Sequence, residues 1–198
     1  MAHRAGGERE LIDLNLEAAE GIRRARESLR RVKGGLERAV SLSINRTLDS
    51  LKVKAARETA SRYFISVGDV KKSFAVKKSN PSNISAELIS RGRRRKLSDY
   101  KLTPKSPKFK SRDYIKGAVM RAGGLKSLPG AFLIRRGNGC QPVIRTGKGR
   151  YDLKGVVSPA VPQILKNEET LSVLEQDAER VFTSRLNHET LRILGALP

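Results

Sequence analysis

Apolar residues recur every three or four positions from Leu11 to Tyr63, and this stripe constrains the fold more than any other feature. Leu11, Leu14, Ala18, Ile22, Ala25, Leu29, Val32, Leu36, Val40, Ile44, Leu48, Leu51, Ala55, Thr59 and Tyr63 fall on one face of a helix. The phase survives Gly34-Gly35, where each glycine costs roughly 1 kcal/mol relative to alanine. One long helix with a kink or short break at that pair is therefore predicted. About 50 helical residues would run roughly 75 Å, longer than a small domain is wide. Part of the helix must then project or pack on another subunit. Residues 1–35 are read as an N-terminal helical arm and residues 36–198 as the main domain.

The charge is segregated as sharply as the stripe. Net charge is +21, yet residues 71–154 hold 23 Lys/Arg against 4 Asp/Glu, while residues 1–70 hold 14 against 10 and residues 155–198 hold 4 against 6. A segment that basic attracts polyanions and repels itself when packed without counter-charge. The flanks read as a folded frame that presents it.

The core has modest material. Hydrophobic residues are 38%, with no Trp, five Phe and four Tyr, so Leu, Val, Ile and Ala must fill it. A chain that completes its folding in a larger assembly fits these numbers. Cys140 is the only cysteine, which excludes a disulfide within the chain. The opening Met1-Ala2-His3-Arg4 leads into charged residues, so no signal peptide is expected. No apolar run is long enough to span a membrane.

After the stripe, Ser66 is placed to cap a short helix over Val67–Phe74. Ala75–Lys78 and Ile84–Arg91 alternate apolar and polar around Asn80-Pro81-Ser82-Asn83, a hairpin pattern. Residues 91–112 break every periodicity and read as a long mobile basic loop. Strands are predicted at 113–121, 131–136 and 140–145, and an extended stretch at 155–163. Asn167 is the expected N-cap of a last helix over 168–194, with Glu168 and Glu169 favouring its positive end. The fold class is α+β: a long N-terminal helix, a small antiparallel β-sheet with a basic loop, and a C-terminal helix.

Catalytic chemistry finds no constellation. His3 and His188 lie at opposite ends, Cys140 has no evident partner base, and two His with one Cys cannot furnish a zinc site. Glu87, Asp99, Asp113 and Asp152 are too dispersed for a carboxylate cluster holding Mg²⁺. Gly117–Ser127 fails as a phosphate loop because Leu125 separates Gly124 from Lys126. No catalytic residue, cofactor or metal is expected. Arg91, Arg93, Arg94, Arg95, Lys96, Lys101, Lys105, Lys108, Lys110 and Arg112 are the expected contacts to DNA or to an acidic partner. Only Tyr100, Phe109 and Tyr114 interleave them, which favours duplex phosphates over stacked single strands. A second reading takes Ala56–Tyr63, Phe64–Ser66 and Val67–Phe74 as a helix-turn-helix with Lys71 and Lys72 on its second helix. It makes the chain a helix-turn-helix or architectural DNA-binding protein.

Several strings, taken in order, carry a resemblance: Leu42-Ser43-Ile44-Asn45-Arg46-Thr47, Ala55-Ala56-Arg57-Glu58, Val67-Gly68-Asp69-Val70-Lys71-Lys72-Ser73-Phe74 with Val76-Lys77-Lys78, Ser85-Ala86-Glu87-Leu88, Gly130-Ala131-Phe132 and Ser158-Pro159-Ala160-Val161-Pro162-Gln163. Their order and spacing over residues 36–194 resemble the prophage minor tail protein Z family, the tail-completion proteins of long-tailed phages. Ser158 stands where a glycine is expected, and the 91–112 segment is expanded. The resemblance implies a structural virion protein at the head-proximal end of the tail, made in the host cytoplasm, acting in head–tail joining and DNA passage. It implies a homo-oligomeric ring, tail terminator and head–tail connector proteins as partners, non-specific duplex DNA in the channel, and no membrane. Leu11, Leu14, Ile22, Leu29, Val181, Phe182 and Leu186 are the expected subunit-interface positions.

Overall fold

The computed structural model describes residues 8–12, 19–107, 114–136 and 139–195. The apolar stripe is interrupted rather than continuous. Its first residues form strand β1 (Glu8–Ile12), followed by helix α1 (Ala19–Ser28) and helix α2 (Gly35–Arg62). The break falls at the predicted pair: Gly34 takes a left-handed conformation with φ 66°, which a residue with a Cβ adopts at a cost. Leu11 is therefore a strand residue and not a helical one. It pairs with Ile89, and Ile12 pairs with Leu88. Spacings of three and four at the end of a stripe cannot tell a helix from a strand that an open sheet edge captures. Leu14 lies outside the described residues.

Ser66 caps α3 (Val67–Ser73), its hydroxyl accepting from the Asp69 amide at 3.0 Å. Strands β2 (Phe74–Lys77) and β3 (Glu87–Gly92) form the predicted hairpin, and with β1 make an antiparallel sheet of order β1-β3-β2. The 91–112 segment, expected as one loop, is largely folded. It holds β4 (Arg95–Lys96), a 3₁₀ turn at Leu97–Asp99 and β5 (Lys101–Thr103). The reason is Leu97, Tyr100 and Leu102, all buried. Three spaced apolar side chains anchor a segment whose charge count alone suggests disorder.

Short strands β6 (Lys116–Ala118) and β7 (Lys126–Ser127) join β5 in a second sheet. A third comprises β8 (Ala131–Arg136), β9 (Gly139–Arg145) and β10 (Leu153–Gly155), while β11 (Val157–Ser158) pairs with β4. Every pairing is antiparallel. The stretch expected to stay extended turns helical at α4 (Val161–Leu165), with Pro162 in the first turn, where its missing N–H costs nothing. Helix α5 (Glu168–Ile193) closes the chain, capped by Asn167, whose side-chain oxygen accepts from Glu169 and Thr170 amides.

Helices α2 and α5 pack along one another. Small residues on α2, including Ala39, Ser43, Thr47, Ala55 and Thr59, face inward and let the backbones approach. The buried hydroxyls of Ser43, Thr47 and Thr59 donate to carbonyls four residues back, so burial leaves them satisfied. The main core joins Leu48, Leu51 and Ala55 of α2 to Val70, Leu88, Ile164, Leu174 and Ala178. A second cluster packs Ala25 and Leu29 against Ala39, Val40, Phe182 and Leu186. Within the segment 1–35, read as an N-terminal arm, Ala25 and Leu29 are thus buried against α2 and α5. A third cluster under the strands gathers Leu97, Leu102 and Ile115.

Candidate nucleic-acid interface

The expected contact residues do not act as one patch. Arg91 lies in β3 opposite Arg9, and Arg93 and Arg94 occupy the link from β3 to β4; all three are exposed. Lys96, beside them on β4, is exposed, as is Lys105 beyond β5. Two members of the set are committed to structure. Arg95 is three-quarters buried, with its Nη2 3.3 Å from Asp69 Oδ2 at the start of α3 and its Nε 3.4 Å from Asp99. The Nε is buried and too poorly aligned for a hydrogen bond, so that second contact is an ion pair only. Lys101 places its ammonium 4.8 Å from the Phe64 ring centroid, and the Arg121 guanidinium stands at the same distance. Lys108, Lys110 and Arg112 lie outside the described residues.

Further cations outside that set are equally exposed. Arg135 and Arg136 end β8, Arg145 ends β9, and Lys148, Arg150 and Lys154 line the turn into β10.

The expected interface positions divide. Leu29, Phe182 and Leu186 are buried together within the chain, with exposures of 2%, 2% and 0%. Ile22 and Val181 beside them are half-buried. Nothing is described for the side chain of Leu11.

The helix pair of the second reading exists, α2 and α3 joined through Tyr63–Ser66. However, α3 has two turns, runs directly into β2 and has Asp69 held by Arg95. Lys72 is exposed and Lys71 partly so. Cys140 lies on β9 and His188 on the exposed side of α5. Among the described residues no cluster of His, Cys, Asp or Glu is placed to hold a metal ion. No helix among them is long and apolar enough to cross a membrane.

A cavity of about 370 Å³ opens between the β6–β7 turn and β11. Leu97, Val119, Leu128 and Val157 line it together with Ser158. The Ser158 hydroxyl is buried without a hydrogen-bond partner among the described residues.

Helices bracket small antiparallel sheets, and the strands carry a surplus of exposed cations. The particular family follows from comparison: residues 19–194 match the family described as Prophage minor tail protein Z (GPZ), and the chain belongs to it. It is a phage tail structural protein. No curated protein and no solved structure matches the chain.

Several residues of the strings that resemble this family are packed in the frame: Ala55 and Ala56 are fully buried in α2, Val70 is buried in α3, and Ala160 and Val161 are buried around α4.

Proposed function

We propose that this protein is a tail-completion subunit at the head-proximal end of the phage tail. It acts in joining filled heads to tails and in DNA passage, as a homo-oligomeric ring around duplex DNA. Tail terminator and head–tail connector proteins are its neighbours. The observation that carries this reading is the concentration of 23 basic against 4 acidic residues in 71–154, within a chain that belongs to a tail family. A ring multiplies that field around its channel, where it tolerates passing phosphates without reading sequence. Burial of Leu29, Phe182 and Leu186 inside the subunit leaves Ile22 and Val181 as the flanking positions that a neighbour covers.

The test is a phage whose copy of this gene is interrupted. Electron microscopy is expected to show filled heads and free tails that fail to join, and wild-type virions are expected to contain the protein. Normal joined particles would sink the proposal. The helix-turn-helix alternative predicts instead sequence-specific binding by the isolated protein, abolished by Lys71→Gln with Lys72→Gln.

A further inference from the structure

The turn between β9 and β10 is organised around one carboxylate. Asp152 Oδ2 accepts from the Gly149 amide at 3.1 Å, and the Asp152 carbonyl accepts from the Thr146 amide at 2.9 Å and its hydroxyl at 3.2 Å. The Arg145 guanidinium donates to the Gly149 carbonyl at 2.8 Å. Two missing side chains make room for this. A Cβ on Gly149 would stand 2.7 Å from Asp152 Oδ2, and one on Gly147 would stand closer still. Either would push the carboxylate out.

The outward side of the same turn is cationic. Arg145, Lys148, Arg150 and Lys154 are exposed, and Asp152, the only acid among them, is engaged by the turn's own amides. Tyr151 is 85% exposed, with the Arg150 guanidinium 5.9 Å from its ring centroid. A turn whose backbone is held by two glycines and an aspartate thus presents four cations and one aromatic ring on one short loop.

We propose that the turn Arg145–Lys154 is a preorganised contact for the phosphate backbone of duplex DNA, and is the principal one on this subunit. The proposal rests on the DNA-passage reading above and names the surface that would serve it. Arginine forks suit phosphate oxygens, and lysine supplies point charge. One exposed aromatic gives no platform for successive stacked bases, so a duplex fits better than a single strand. The backbone that carries these cations is already ordered by the turn's own hydrogen bonds, so binding a phosphate need not order it.

The experiment titrates the full-length protein with a labelled random-sequence duplex over a salt series, read by fluorescence anisotropy. Lys148→Gln with Arg150→Gln is expected to lower the salt slope by about 2. It is expected to weaken binding on the order of 30-fold at about 0.15 M salt. Both residues are exposed and take no part in the core, so the variant tests contact and not folding. Arg93→Gln with Arg94→Gln is expected to lose less. Asp152→Asn is the sharper probe: it adds one net positive charge, yet is expected to bind more weakly because the turn loosens.

Unchanged affinity in the Lys148/Arg150 variant, or a greater loss in the Arg93/Arg94 variant, would overturn the assignment. Tighter binding by Asp152→Asn would overturn the preorganisation. Binding to an acidic peptide but not to duplex, through the same two residues, would replace DNA with a protein partner. Absence of the protein from purified virions would defeat the tail reading without altering the titration. A flat titration with the protein present in virions would defeat the turn assignment alone.

Discussion

Asn45 and Ser79, 34 residues apart, close a reciprocal pair of hydrogen bonds. The Asn45 amide donates to the Ser79 carbonyl at 2.9 Å, and the Ser79 amide donates to Asn45 Oδ1 at 2.9 Å. The Ser79 hydroxyl donates to Ser41 Oγ at 2.8 Å. One side chain of α2 thereby serves both polar backbone groups of a residue buried where β2 enters its turn.

Asn45→Ala leaves the Ser79 amide and carbonyl buried and unpaired. The expected loss is about 2 kcal/mol of unfolding free energy. In urea titration it should appear as a lower midpoint at unchanged slope. A loss under about 0.5 kcal/mol would show that the pair is not structural.

Arg95 and its neighbours should separate stability from binding. Arg95 bridges Asp69 and Asp99, so Arg95→Gln is expected to cost about 1 kcal/mol, a value discounted for its partial exposure. Arg93→Gln and Arg94→Gln are expected to stay within about 0.5 kcal/mol of wild type. Thermal melts of the three variants check this, and equal melting temperatures would refute it.

Tyr100 predicts an alkaline limb. Burial pushes its phenol up to about 12, with Asp99 adding to the shift and Arg95 opposing it. The hydroxyl donates to the Pro159 carbonyl at 3.0 Å. Because the folded value exceeds the unfolded value of about 10, this contribution to stability is whole below pH 10 and is lost as pH rises through 12. Ultraviolet titration of tyrosinate should show a late step that Tyr100→Phe removes. Ionisation of all four tyrosines near pH 10 would contradict the burial.

Ser158 is 5% exposed and its hydroxyl lacks a partner among the described residues. Ser158→Ala removes that hydroxyl and keeps the strand geometry, so a gain of up to about 1 kcal/mol is expected. Denaturant unfolding decides it. A clear loss would mean that the hydroxyl is satisfied in solution.

Most of the frame was legible along the chain. The cap at Asn167, the cap at Ser66, the hairpin over 74–92 and the break at Gly34 are all specified by residues within a few positions of one another. The failures have one cause. Leu11 was read as helical because a strand needs a partner edge, and β3 lies some 80 residues away in the chain. Segment 91–112 reads as a loop because its charges outnumber Leu97, Tyr100 and Leu102, and only the fold shows Leu97 and Leu102 buried with Ile115, and Tyr100 buried in the main core.

The same division governs function. Charge excess and the helix–strand order are sums or short-range patterns, so they can be read residue by residue. Which cations remain unpaired cannot. Arg95 is neutralised by Asp69, 26 residues away, and Arg62 by Glu58 on its own helix and by Glu169, 107 residues away. Lys148 and Arg150 are exposed on a turn whose one carboxylate, Asp152, accepts from the Gly149 amide. Coulomb and hydrogen-bond energies fall steeply with distance, so they act only between groups that the completed fold has brought together.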